Sequence, residues 1–440
     1  MKNNVSIVRK NLLDAVSQLC EVSWMFCKQP GTHFTRNRKL PFRKVVMFLL
    51  AMEGGTLGTQ MLRHFGYSVD IPSTSAFVQQ RDKLNAETFP SLFSLFVKKS
   101  NTRKTYKGLR LIAADGSDFK TPSDPNAPNS YFPGTSTQSA YNLLHLDAMY
   151  DLLQHTYMDA ALYGKRVANE RSALCKMIER SALNDVLLIA DRGYEGFNLM
   201  AHIQEKGWKF LIRIQDAANS YGIASGLDLP NTEEFDLFVD LSLTKIQTKE
   251  VQALCKNKNL FKRIHSNFDF LSPYCKTGTH SFYKLPFRIV RFKITDDIFE
   301  TVVTNLDSED FSPEELKRIY GMRWGIETSF RELKYTVGLL HFHAKKVEYI
   351  YQEVFARLIM YNFTELVTSH VIIQKFNAKY AYKANFSVAV HVCRQFFLGN
   401  VSPPDVEALI QRHISPIRPG RSRPRKMTVR HTVSFLYRVA

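Results

Sequence analysis

Acidic residues are scarce in this 440-residue chain. Its 41 Asp and Glu stand against 59 Lys and Arg, for a formal net charge of +18 and a pI near 9.5. A surplus of that size calls for a polyanionic partner, nucleic acid first and an anionic membrane surface second. Long apolar runs are missing as well. The longest, residues 45–52, lies between Lys44 and Glu53 and is far short of a bilayer span, and no signal-peptide pattern opens the chain. The membrane reading therefore falls away, and the cytoplasm is the expected setting. Cysteine is sparse: Cys20, Cys27, Cys175, Cys255, Cys275 and Cys393 are scattered and form no Cys-x-x-Cys pair. That excludes a zinc ribbon and a disulfide framework and leaves reduced thiols. His341 and His343 alternate around Phe342, but no third His or nearby Cys completes a zinc set. A glycine-rich phosphate loop and a Gly-x-Ser-x-Gly elbow are absent too, which leaves an ATPase or a serine hydrolase without support.

What is present is enough for a core: 45% apolar residues, 12% of the chain aromatic, over a length that allows two or three domains or one with a large insertion. Residues 1–105 read as helical and basic, with fourteen Lys and Arg against six acids in the first hundred. Within them, residues 58–84 suggest two helices around a turn. Ser73 would be an N-cap, and the second helix would display Gln79, Gln80, Arg81 and Lys83, a helix-turn-helix reading. From residue 106 the pattern turns to strands: 109–114, 143–149, 155–162, 186–190 and 208–214, with helical spacing between the later ones. That order makes an α/β domain with a mixed sheet over 106–214. Residues 215–305 alternate in short runs and read as a β-rich insertion that interrupts it. Residues 306–375 return to helix, opening with Ser312-Pro313-Glu314-Glu315, a capping Ser followed by Pro and then Glu at the third position. Residues 376–440 read as a helical region and a basic tail. The last part holds Arg412, Arg418, Arg421, Arg423, Arg425, Lys426, Arg430 and Arg438 and no acid, an electrostatic arm for nucleic acid.

Between residues 320 and 334 polar residues are spaced as a helix normally spaces its core. Tyr320, Arg323, Glu327 and Lys334 stand at offsets of zero, three, seven and fourteen, with Arg331 between them. At about 3.6 residues per turn they share a stripe. Met322, Ile326, Leu333, Val337 and Leu340 form an apolar stripe beside it. A solvated face is the ordinary reading of charge on a helix. One acid among several bases and a phenol is also a set that grips a phosphate backbone beside a metal ion. Gly321 and Gly325 weaken helix, so a break is expected just before Glu327. Upstream, Asp115 and Asp191 each follow an apolar strand and precede a turn, as Asp115-Gly116 and Asp191-Arg192-Gly193. Carboxylates at neighbouring strand ends converge at one sheet edge. With Glu327 they supply three hard oxygen ligands for one or two Mg²⁺ ions and in-line displacement at phosphorus. Either Asp alone could be a turn residue. Asp118, Asp147 and Asp159 are rival ligands, Asp118 being expected beyond the strand end.

These residues resemble a known family. Tyr320-x2-Arg323-x3-Glu327-x6-Lys334 is similar to the signature of the insertion-sequence-four family of bacterial DDE transposases. Asp115-Gly116-Ser117 and Asp191-Arg192-Gly193-Tyr194 resemble its two acidic motifs, in order. The insertion and the Arg-Pro-Gly-Arg-Ser-x-Pro-Arg tail from Arg418 to Arg425 are similar too, and the resemblance spans about residues 60–426. It implies an RNase H-like mixed sheet flanked by helices and cut-and-paste transposition: cleavage at transposon ends and strand transfer into target DNA. Asp115, Asp191 and Glu327 would hold two Mg²⁺ or Mn²⁺ ions. Tyr320, Arg323 and Lys334 would contact DNA phosphates, and Arg421, Arg425 and Lys426 would bind DNA from the tail. The implied partners are double-stranded DNA, as terminal inverted repeats and target, and a second copy of the chain in the DNA complex, at the bacterial nucleoid. Some relatives stack a flipped base on a tryptophan of the insertion. Here Trp208 precedes that region and Trp324 lies within the signature. A transposase-derived DNA-binding protein without catalysis and an RNase H-like nuclease without strand transfer are the alternatives.

Overall fold

The structure, a computed structural model, describes residues 4–36, 38–216, 221–265, 267–272, 281–373 and 380–418. Helices come first: α1 (Asn4–Glu21), α2 (Phe42–Ala51), α3 (Leu57–His64), α4 (Thr74–Arg81) and α5 (Thr88–Ser100). The expected helix pair is α3 and α4. Thr56 and Ser73 cap them by accepting from the amides of Thr59 and Ala76, which answers donors that a helix start leaves open. One expectation is corrected. Of the four polar residues placed on the display face, Gln79 is exposed, while Gln80 and Arg81 are buried. Arg81 turns inward because buried acceptors await it there: its guanidinium donates to Gln352 Oε1 at 2.8 Å and Glu353 Oε1 at 2.9 Å.

Strands β1 (Arg110–Thr121), β2 (Tyr131–Phe132), β3 (Tyr141–Asp151) and β4 (Thr156–Gly164) follow, then α6 (Glu170–Arg180), β5 (Val186–Ala190), α7 (Phe197–Glu205) and β6 (Lys209–Ile214). In space the order is β4-β3-β1-β5-β6. The β1–β3 and β3–β4 pairs are antiparallel, and β1–β5 and β5–β6 are parallel. Three antiparallel strands joined through the first to two parallel ones, with helices on both faces, make the mixed sheet of an RNase H-like fold.

The chain then adds β7 (Phe235–Thr244), α8 (Lys249–Leu254), β8 (Phe261–Arg263), β9 (Tyr283–Thr295) and β10 (Ile298–Thr304). These strands do not break the sheet. They lengthen it beyond β6, in the order β6-β10-β9-β7-β8, with β10 antiparallel to β6. After them come α9 (Pro313–Met322), α10 (Trp324–Tyr335), α11 (Val347–Thr368), β11 (Tyr382–Ala384), α12 (Phe386–Leu398), α13 (Asp405–Arg412) and β12 (Ile414–Pro416).

Alternation along β1 divides the core in two. Leu111 and Ala113 join Leu146, Ala148, Leu187 and Ile189 on the face that α10 and α11 cover. Ile112 and Ala114 join Met149, Leu188 and Ala190 on the face of α6 and α7. Almost every residue of α11 is buried. That is the pattern of a helix packed on all sides, here between the sheet and the helices α1, α2 and α5. Asn362 fastens it to β4 by accepting from the Tyr157 amide at 2.8 Å and donating to the Tyr157 carbonyl at 2.7 Å.

Candidate active site

The parallel register of β1 and β5 aligns Ala114 with Ala190 and then stops. The next residue on each strand is an acid, Asp115 and Asp191, so the two lie side by side at the point where pairing ends. Asp191 closes β5 as expected, and its Oδ1 accepts from the Gly193 amide at 2.8 Å. Asp115 does not close β1, which runs on to Thr121 because β3 continues to pair with it, Asp115 opposite Ala148 and Asp118 opposite His145. The polar run after Asp115 is therefore strand and not turn.

Extension of β1 also disposes of the rival acids. Asp118, three residues on, points to the other face of the sheet from Asp115. Asp147 is fully buried on that same far face, within 3.1 Å of His145 Nε2. Asp159 is held by Arg180 through two nitrogens, at 2.7 and 2.8 Å. This far-face group, His145 with Asp118, Asp147 and Glu170, is the constellation that sequence reading missed. The alternation His145-x-Asp147 on a strand was its one local sign.

Glu327 comes from α10, in its first turn. The helix break lies at Arg323, four residues before Glu327 and so earlier than expected, and it is slight. Arg323 keeps helical angles (φ −51°, ψ −31°), and its amide bonds to the Tyr320 carbonyl at 3.0 Å, one residue tighter than an α-helix. Gly325 has a packing reason: a Cβ there would sit 3.0 Å from Leu152 Cδ2, so α10 lies close against the end of β3.

Arg323 links the acids. Its Nη2 donates to Glu327 Oε1 at 2.8 Å, and its Nη1 lies 3.7 Å from Asp115 Oδ2. The side chain is almost fully buried, with its guanidinium 5.6 Å from the Tyr320 ring centre and 5.3 Å from that of Trp324. Burial pushes Asp115 up to about 7. The Gly116 amide and Arg323 pull it down, and the Asp191 and Glu327 charges push it up again. Lys334, one face along α10, donates from Nζ to the Asp118 carbonyl at 2.8 Å. Burial lowers it below the ordinary lysine value against the opposing carboxylates of Asp118 and Asp115. Tyr320 is buried beside Arg323, and Arg331 is exposed.

The structure thus gathers Asp115, Asp191, Glu327, Tyr320, Arg323 and Lys334, drawn from β1, the end of β5 and the α9–α10 pair. Arg421, Arg425 and Lys426 lie outside the described residues. Trp324 is 57% exposed at the rim. Trp208 is buried and donates from its indole nitrogen to the Leu183 carbonyl, so it presents no free ring. His343 is tied to Glu353 in the core.

An RNase H-like sheet with an acid on its first strand, an acid after the neighbouring parallel strand and a third on a later helix defines a class of polynucleotidyl transferases and nucleases. Residues 106–363 match the family described as the transposase DDE domain. The chain belongs to the DDE transposases and is a DNA transposase that depends on divalent metal. It is 22% identical over 357 residues to the transposase InsG for insertion sequence element IS4 of Escherichia coli strain K12, across 76% of this chain and 71% of that protein. This places it with the insertion-sequence-four family. It is 25% identical over 195 residues to the putative transposase InsZ of the same strain, across 41% of this chain and 64% of that one. Among solved structures it is similar to a piggyBac transposase synaptic complex with hairpin DNA, at a TM-score of 0.45 and 10% identity, over 96% of this chain and 85% of that chain. Among the described residues no helix is long and apolar enough to cross a membrane.

Proposed function

We propose that Asp115, Asp191 and Glu327 are the catalytic acids and hold two Mg²⁺ or Mn²⁺ ions for cleavage at transposon ends and strand transfer into target DNA. The observation that carries the reading is the adjacency of Asp115 and Asp191 across the β1–β5 register, with Glu327 joined to Asp115 through Arg323. The donor set fits hard divalent cations. It consists of three carboxylates, and Asp115 is raised by burial first and by the negative charges of Asp191 and Glu327 after it. When bound, such ions activate the attacking water or 3′-hydroxyl and stabilise the leaving oxygen.

The chain's own residues do the rest. Arg323 fixes the Glu327 carboxylate and offsets the charge of Asp115. Lys334 and Tyr320 line the same helix pair as phosphate contacts on either side of Glu327. The capped helix pair α3–α4 and the tail with Arg421, Arg425 and Lys426 supply further DNA contacts, so that residues 1–105 recognise the end and the 376–440 region grips it. Two copies of the chain pair two inverted repeats, in the cytoplasm at the nucleoid.

A strand-transfer assay tests this reading. Full-length protein, Mg²⁺ and DNA carrying the element's own ends should yield joined donor and target molecules. Cleavage without joined products would reduce the activity to that of a nuclease. Binding without cleavage would leave a DNA-binding protein and overturn the proposal.

A further inference from the structure

On the face of the sheet opposite Asp115, one buried histidine is surrounded by carboxylates from three elements. His145 of β3 is 2% exposed in its side chain and Asp147 of the same strand 1%. Asp118 of β1 meets His145 Nδ1, and Glu170, the first residue of α6, meets its Nε2 at 3.2 Å. Asp147 Oδ1 lies 3.1 Å from that same Nε2, and the Tyr194 hydroxyl donates to Asp147 Oδ1 at 3.4 Å. Lys165 Nζ sits 3.0 Å from Asp118 Oδ1, 3.1 Å from His145 Nδ1 and 3.9 Å from Glu170 Oε1. Two of the three carboxylates, Asp118 and Glu170, thus face the lysine, and Asp147 does not.

The arrangement has the logic of a metal centre. A ligating histidine usually gives its second ring nitrogen to a carboxylate, which fixes the tautomer and turns the other nitrogen's lone pair toward the ion. Asp118 stands where that outer carboxylate belongs. His145, Asp147 and Glu170 then each offer one electron-pair donor, and the three atoms lie within 4.8 Å of one another. Such a group needs a cation among them. A second observation points the same way: Asp147 Oδ2 is buried with no hydrogen-bond donor, and an orphaned buried carboxylate oxygen is costly. The space is kept by Gly116, where a Cβ would lie 2.6 Å from His145 Nε2 and 2.8 Å from Asp147 Oδ1.

We propose that His145, Asp147 and Glu170 form a second divalent-cation site, separate from the acid triad, for an ion that accepts imidazole nitrogen, such as Mn²⁺ or Zn²⁺. Mg²⁺, which prefers oxygen alone, is a poor occupant. The site would pin β1 to β3 and α6 under the strand that carries Asp115. Asp118 spans both sides, with its carboxylate in the cluster and its carbonyl bonded to Lys334. The proposal stands whether or not the acid triad is catalytic.

Pulsed electron paramagnetic resonance on full-length protein loaded with Mn²⁺ tests it, because no described histidine contacts Asp115, Asp191 or Glu327. A directly bound ¹⁴N should appear in the wild type, persist when Asp115→Asn, Asp191→Asn and Glu327→Gln are combined, and vanish in His145→Asn. Asp118→Asn, a half-exposed position that keeps its backbone carbonyl, should weaken the nitrogen-coupled site by about 10–100-fold and decides the matter if His145→Asn does not fold. Absence of nitrogen coupling in the wild type, its survival in His145→Asn, or unchanged affinity in Asp118→Asn would overturn the proposal.

Discussion

Arg323 is the residue on which the geometry of the acids turns. It reaches Glu327 and Asp115 with different nitrogens of one planar group, a task that the point charge of lysine cannot repeat. Arg323→Lys should therefore keep the fold and lower end cleavage by roughly 10–150-fold, the equivalent of about 1.5–3 kcal/mol for a lost charged hydrogen bond. Single-turnover cleavage rates, with far-UV circular dichroism as the control for folding, check this. A lysine variant at the wild-type rate would show that bridging is not required. At this scale the sequence was informative where chemistry is local. Asp191, Glu327 and Lys334 could be picked out because each follows an apolar strand or sits at helical spacing. Asp118 was set apart from Asp115 as lying beyond the strand end, whereas it lies within β1 and differs by its face, which depends on how far β1 runs. Arg81 was misplaced for a related reason: its partner Glu353 lies 272 residues away, and no local pattern tells a helix which cation to turn inward.

At the level of elements, strand cores and helix caps could be read, but strand lengths and register could not. The segment Asp115-Gly116-Ser117-Asp118 has the composition of a turn, and its partner in β3 makes it strand. The alternating runs of residues 215–305 were recognisable as strands. That β10 joins the edge of β6 is set by pairing that leaves no mark on composition. The contact between α10 and α11 carries a pH dependence. Burial first, and the Glu332 charge second, raise Glu365 to about 8, with Lys383 of β11 opposing them. A carboxyl whose folded value is raised favours the folded state while protonated. Stability from this group is present below its unfolded value of about 4.5 and is lost as pH rises toward about 8. Glu365→Gln removes that loss. Its melting temperature should match the wild type near pH 3.5 and exceed it at pH 9 by about 1–2 °C, roughly 1 kcal/mol after allowance for partial exposure. An equal difference at both pH values would contradict this account of Glu365.

Across the whole molecule, α11 is the hub. It backs the sheet that carries the acids and receives the N-terminal helices on its other side. Arg81 of α4 joins the two through Gln352 and Glu353, and the charges of Arg81, His343 and Arg357 hold Glu353 below the usual carboxylate range in spite of its burial. Removing one partner of a buried pair strands the other. Arg81→Met should cost about 3 kcal/mol, lowering the melting temperature by roughly 3–6 °C, and a change below about 1 °C would show that the pair does not bind the two regions together. The overall charge and the order of the acids pointed to the molecule's class from sequence alone. The stacking of α11 between two layers could not be foreseen, since an apolar helix does not say what covers each side. The central claim is that Asp115, Asp191 and Glu327 form one catalytic unit, and end cleavage with Mg²⁺ by Asp115→Asn, Asp191→Asn and Glu327→Gln, each beside a DNA-binding measurement, tests it most directly. The expected result is that every single variant binds end DNA and cleaves none of it; cleavage retained by any one of the three would contradict the account.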